Sequence, residues 1–66
     1  MERNIRLGWQ NLVKIAALKR KTLRFTQEQL AILAEVSKPT LNRFEQGDTS
    51  ITLKSAIKIL GALGLD

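Results

Sequence analysis

The sequence predicts an all-α fold, a compact bundle of four to five short helices. Three observations predict it. Apolar residues recur at spacings of three and four, the period of a helix packed by one face. Sustained apolar/polar alternation and Asn-Gly or Asp-Gly hairpin pairs are both missing, so strands have no signal. Finally, Thr26-x-x-Gln29 and Ser37-x-Pro39 read as two helix starts close together.

The first helix is expected from about Leu7 to Thr22, with Leu12, Ile15, Ala16, Lys19 and Leu23 on one side. Leu23-Arg24-Phe25 connects it to the second. Thr26 and Gln29 then form a capping box, and Leu30, Ala31 and Ala34 face inward before the helix ends near Glu35. The third helix starts at Ser37. A mid-helix proline would cost about 3 kcal/mol, but with Ser37 as N-cap, Pro39 falls in the first turn, where backbone N–H groups lack intrahelical partners. Pro39 therefore opens a helix. The fourth starts at Thr52 as N-cap and carries Leu53, Ala56, Ile57, Leu60 and Leu63, with Gly61 and Gly64 at its end.

Only Glu35-Val36-Ser37 separates the second and third helices, which is the spacing of a helix-turn-helix. The chain of 66 residues makes one such domain, 1–66, with an N-terminal extension at 1–10 and the helix-turn-helix at about 26–46. A domain of this size buries only roughly 60% of its unfolded surface, so each apolar contact matters to it.

Composition removes whole classes of function. Cysteine and histidine are absent, which excludes disulfides, thiol and histidine chemistry and the usual zinc sites. Neither a nucleophile–base pair nor a phosphate-cradling glycine loop is present, so no enzyme and no cofactor is expected. The charged N-terminus and the short apolar runs fit neither a signal peptide nor a membrane span. A cytoplasmic protein is expected. The net charge is +5, and it is uneven: residues 1–25 hold seven basic side chains against Glu2 alone, while the remainder holds four against five acids. Such a field suits a polyanion.

On the third helix, Leu41 and Phe44 point one way and Lys38, Pro39, Asn42, Arg43 and Gln46 the other. The second group is rich in hydrogen-bonding side chains and lies toward the helix N-terminus, as a helix inserted in a major groove requires. Arg43 suits a guanine, Asn42 an adenine, and Lys38 a guanine or a phosphate.

The stretch from Phe25 to Gly47 resembles the helix-turn-helix family of phage repressors and Cro proteins, with matches at Thr26, Gln27, Leu30, Ala31, Val36, Ser37, Leu41, Phe44, Glu45 and Gly47. With its flanking helices the resemblance covers about residues 12–65 and implies a lambda-repressor-like fold. It implies base contacts from Ser37, Lys38, Pro39, Asn42 and Arg43. Phosphate contacts are implied for Gln27 and Gln46, with Gln27 also bracing Lys38, and Thr40, Thr49 and Ser50 are expected to meet phosphates as well. Arg20 and Glu45 are implied as a structural ion pair. The function expected is a regulator of transcription, a repressor binding double-stranded DNA as a homodimer. Three positions depart from the family pattern: Glu35 stands where glycine is frequent, Pro39 where a base-reading side chain is frequent, and Asp48 where some relatives carry basic residues.

Apolar residues off the inner faces raise a second expectation. Ile32 and Leu33 on the second helix and Leu18 on the first are either covered by the N-terminal extension, through Leu7 and Trp9, or form a protein interface. The tail from Ser50 to Leu65 also resembles antitoxins that bind a toxin and repress their own operon. An adaptor of the same fold that binds a protein is a further alternative.

Overall fold

The computed structural model describes the backbone of residues 2–65 and the side chains of residues 8–65. Its regular elements are four helices, α1 (Glu2–Thr22), α2 (Gln27–Ala34), α3 (Lys38–Glu45) and α4 (Leu53–Ala62). The N-terminal extension is therefore the first turns of α1, and the bundle holds four helices. The side chain of Leu7 lies outside the described residues.

The starts of α2, α3 and α4 follow from local side-chain chemistry. Thr26 Oγ1 accepts from the Gln29 N–H at 3.0 Å while Gln29 Oε1 accepts from the Thr26 N–H at 2.9 Å, the reciprocal pairing of a capping box. Ser37 Oγ accepts from the Thr40 N–H at 3.2 Å, with Pro39 in the first turn of α3. Thr52 Oγ1 accepts from the Ser55 N–H at 3.1 Å.

All four helices stop in the same way. Arg24, Glu35, Gly47 and Gly64 have φ of 63°, 60°, 83° and 73°. In each case the next residue's N–H reaches back five positions: Phe25 to the Arg20 carbonyl, Val36 to Ala31, Asp48 to Arg43 and Leu65 to Leu60, at 2.9–3.1 Å. This is the Schellman closure, which satisfies carbonyls left free at a helix end. At Glu35 the family's frequent glycine is replaced without reshaping the turn, so the strained αL backbone is retained.

The core is built from Val13 and Ala16 of α1, Leu30, Ala31 and Ala34 of α2, Leu41 and Phe44 of α3, and Ala56, Ile59 and Leu63 at α4. Two faces differ from expectation. On α1 the buried stripe is Val13 and Ala16, flanked by Trp9 and Arg20, so that Ile15 and Leu23 are exposed. On α4 it is Ala56, Ile59 and Leu63, and Leu53 and Ile57 are exposed. Both helices carry apolar residues on more than one side, and packing against α2 and α3 selects the inward set.

Trp9 corrects the remaining expectation. Its indole Nε1 donates to the Gly47 carbonyl at 3.1 Å, and its ring meets Phe44 edge-on at 5.5 Å between centroids. Trp9 thus packs on α3 and the turn after it. Ile32 stays 73% exposed, and Leu33 and Leu18 are exposed as well.

Candidate nucleic-acid interface

The relation of α2 to α3 is fixed by a partly buried polar cluster. Arg20 Nε donates to Glu45 Oε2 at 2.7 Å and its Nη2 to Glu45 Oε1 at 3.2 Å, a two-point guanidinium–carboxylate pairing. The side chains are only 12% and 10% exposed. Arg20 Nη1 also donates to the Phe25 carbonyl at 2.8 Å, closing the α1–α2 connection. Glu45 Oε1 accepts a further bond from Gln27 Nε2 at 2.9 Å. One carboxylate at the end of α3 therefore holds α1 and the first residue of α2 together. Arg20 is taken up by this structural work.

Gln27 opens α2, where backbone N–H groups have no partner within the helix. Its side chain braces Glu45 and lies 3.5 Å from Asn42 Oδ1, a distance too long for a strong bond. No bond to Lys38, the residue it was expected to brace, is formed among the described residues. Gln27, Lys38, Pro39 and Asn42 instead line one shallow recess of about 340 Å³ between the starts of α2 and α3. The side chains of Lys38, Pro39, Asn42 and Arg43 are all exposed on α3, which has no acidic residue in its first turn.

The flanking positions are placed differently. Ser37 caps α3 and donates its hydroxyl proton to Thr40 Oγ1 at 2.8 Å, so the two hydroxyls work as a pair. Gln46 is exposed just beyond α3 and borders a second shallow recess with Gln10 and Lys14. Thr49 is exposed in the turn that follows.

Asp48, which stands where some relatives carry basic residues, is joined to Arg43. Arg43 Nε donates to Asp48 Oδ2 at 3.0 Å and Arg43 Nη2 to Ser50 Oγ at 2.7 Å. Ser50 in turn donates its hydroxyl proton and its N–H to Asp48 Oδ1, at 2.7 and 2.8 Å. Hydrogen bonds from the Ser50 hydroxyl and N–H, followed by that from Arg43, lower the Asp48 pKa from 3.8 to about 2. A signal for this bracket was present in the sequence. A helix-ending Gly47 places residue 48 beside residue 43 through the Schellman closure, and Asp-x-Ser favours a local side-chain turn.

Among the described residues there is no group of three or more side chains suited to a metal ion. No helix there is long and apolar enough to cross a membrane.

A family model described as helix-turn-helix matches residues 17–66. A protein of Haemophilus influenzae, named an uncharacterized HTH-type transcriptional regulator, is 35% identical over 63 residues. That match takes in 96% of this chain but 61% of the relative's length. No solved structure matches at a significant level.

Proposed function

Because the chain belongs to the helix-turn-helix family of Cro- and repressor-type domains, which bind DNA and are not enzymes, we propose that it is a sequence-specific regulator of transcription occupying an operator in double-stranded DNA. The observation that carries this reading is the exposed face of α3. Lys38, Pro39, Asn42 and Arg43 stand free of the core there, while Glu45 at the far end locks α3 to α1 and α2. A rigid platform with solvent-exposed polar side chains is what base reading needs.

In this reading, Arg43 and Asn42 read base edges, with Lys38 beside them at the start of the helix. Pro39 contributes shape without a hydrogen bond, and Ser37 lies at the edge of the same face. Gln27 presents its backbone N–H and its second amide proton to a phosphate, helped by the partial positive charge of the α2 N-terminus. Thr40, Gln46, Thr49 and Ser50 are the further phosphate partners. Two copies would read two half-sites about 34–36 Å apart, and occupancy of the operator would repress. Such work places the protein in the cytoplasm with the nucleoid.

Fluorescence anisotropy tests the reading with two labelled duplexes near physiological salt, one from the DNA upstream of the gene and one a scramble of it. Preference for the first by more than about tenfold, with two chains per site, is the expected result. Arg43→Ala should then lose about 1–3 kcal/mol on the preferred duplex. Equal, salt-sensitive binding to both duplexes would remove sequence-specific reading of that site. No binding by the folded protein would remove the DNA role.

Ile32 and Leu33 favour a second reading beside the first. They remain exposed on α2, and Leu53 at 76% and Ile57 at 53% remain exposed on α4, which packs against α2. Exposed apolar side chains of that kind suit a protein partner where they adjoin. A toxin repressed together with its operon, or a protein bound by an adaptor of this fold, would both use such a surface.

A further inference from the structure

Arg43 has two hydrogen-bonding edges, and the structure treats them differently. The Nε–Nη2 edge faces Asp48 Oδ2 and Ser50 Oγ, which are themselves held together by the 2.7 Å bond from Ser50 Oγ to Asp48 Oδ1. Nη1 has no partner among the described residues, so the end-on fork of Nη1 and Nη2 points away from the bracket. Guanine presents two acceptors side by side in the major groove, O6 and N7. The free fork matches that pair.

We propose that Asp48 and Ser50 are positioning residues for base reading: they occupy one edge of the Arg43 guanidinium and present the other to a guanine. The inference rests on the DNA-reading role of α3 and deepens it by naming what aims its arginine.

The bracket is built for constancy. The backbone aids it, because the Asp48 N–H donates to the Arg43 carbonyl at 3.1 Å, so both ends of the contact are tied to one helix terminus. Gly47, at φ 83°, supplies the turn that brings them together. The hydrogen-bond chain also runs in one sense, from Arg43 to the Ser50 hydroxyl and from that hydroxyl to the carboxylate. Each donor therefore polarises the next. These bonds hold the Asp48 pKa at about 2, so the carboxylate is charged at neutral pH.

A carboxylate near phosphates opposes binding to every duplex. Its charge makes sense as a device that exchanges general affinity for direction. An arginine free to swing would bind phosphates and bases alike. One held on its Nε side loses rotamer freedom before DNA arrives, and its loss on binding is smaller.

The test is a binding-site selection from a randomised duplex pool, run with the wild type, Arg43→Ala, Asp48→Asn, Ser50→Ala and the double variant Arg43→Ala/Asp48→Asn. Asparagine keeps an acceptor for the Ser50 N–H while removing the charge, and thermal melting of each variant confirms that it is folded. The wild type should select a guanine at one position and Arg43→Ala should lose it. Asp48→Asn should lower that guanine preference at least threefold while binding an unrelated duplex as tightly as the wild type or more so. Ser50→Ala should also lower the guanine preference, and Asp48→Asn should alter that preference no further once Arg43 is alanine. An undiminished or sharper guanine preference in both Asp48→Asn and Ser50→Ala overturns the positioning role and leaves base reading by Arg43 intact. A wild type that selects no sequence overturns base reading itself, and the positioning role with it.

Discussion

Glu35 holds φ 60° and ψ 41° in the turn between α2 and α3, a conformation that places Cβ close to the backbone carbonyl. The usual penalty is roughly 1–2 kcal/mol for a residue with a side chain. Glycine avoids it, as Gly47 and Gly64 do at two of the other helix ends. Glu35→Gly should therefore stabilise the domain by about 1 kcal/mol after the extra entropy of glycine in the unfolded chain. For a domain of this size that is a rise in Tm of roughly 4–8 °C, measured by circular dichroism. A lower Tm would mean that the glutamate side chain compensates its own backbone. The residue scale also shows what a sequence yields. Thr26, Ser37 and Thr52 were legible as caps because each bonds an N–H within three residues of itself. The link from Arg43 to Asp48 went unread although Gly47 and Asp48-x-Ser50 signal it, because it depends on a turn that reverses the chain at Gly47.

At the scale of elements, four helices are held by two kinds of contact. α1 and α4 meet the core through apolar stripes, and α1, α2 and α3 also share the Arg20–Glu45–Gln27 cluster. Arg20→Ala leaves Glu45 charged and only 10% exposed, and leaves the Phe25 carbonyl without its donor. The expected loss is about 3 kcal/mol, a large share of the roughly 3–10 kcal/mol that a domain of this length holds. Urea unfolding measures it. A loss below about 1 kcal/mol would class the pair with solvent-screened surface bridges. The existence and order of these helices were legible, and so was the inward face of α2. The faces of α1 and α4 were not. Ile15 and Ile57 satisfy a helical period as well as Val13 and Ile59 do, and only the neighbouring helices decide which set is buried. The length of α1 was also missed, since Gly8 and the charged residues before it gave no periodic apolar signal.

For the molecule as a whole, charge and apolar exposure divide the surface into different tasks. Lys38, Asn42 and Arg43 share the exposed face of α3, whereas Ile32 and Ile57 lie exposed on α2 and α4. Replacing both isoleucines by serine removes little packing from the single chain. Each change should alter its stability by no more than about 0.5 kcal/mol. If that surface is the one two copies share, sedimentation at equal concentration will give a lighter particle for the variant with an unchanged melting curve. Equal masses would exclude Ile32 and Ile57 from any contact between copies. Trp9 joins the two ends of this description. It is the chain's single tryptophan, and it rests on Phe44 of α3 while holding the Gly47 carbonyl of the turn that carries Asp48. The protein thus contains its own optical reporter, an indole whose emission colour depends on whether that turn is docked. Light from one residue near the N-terminus follows, without any label, the segment proposed to meet the operator.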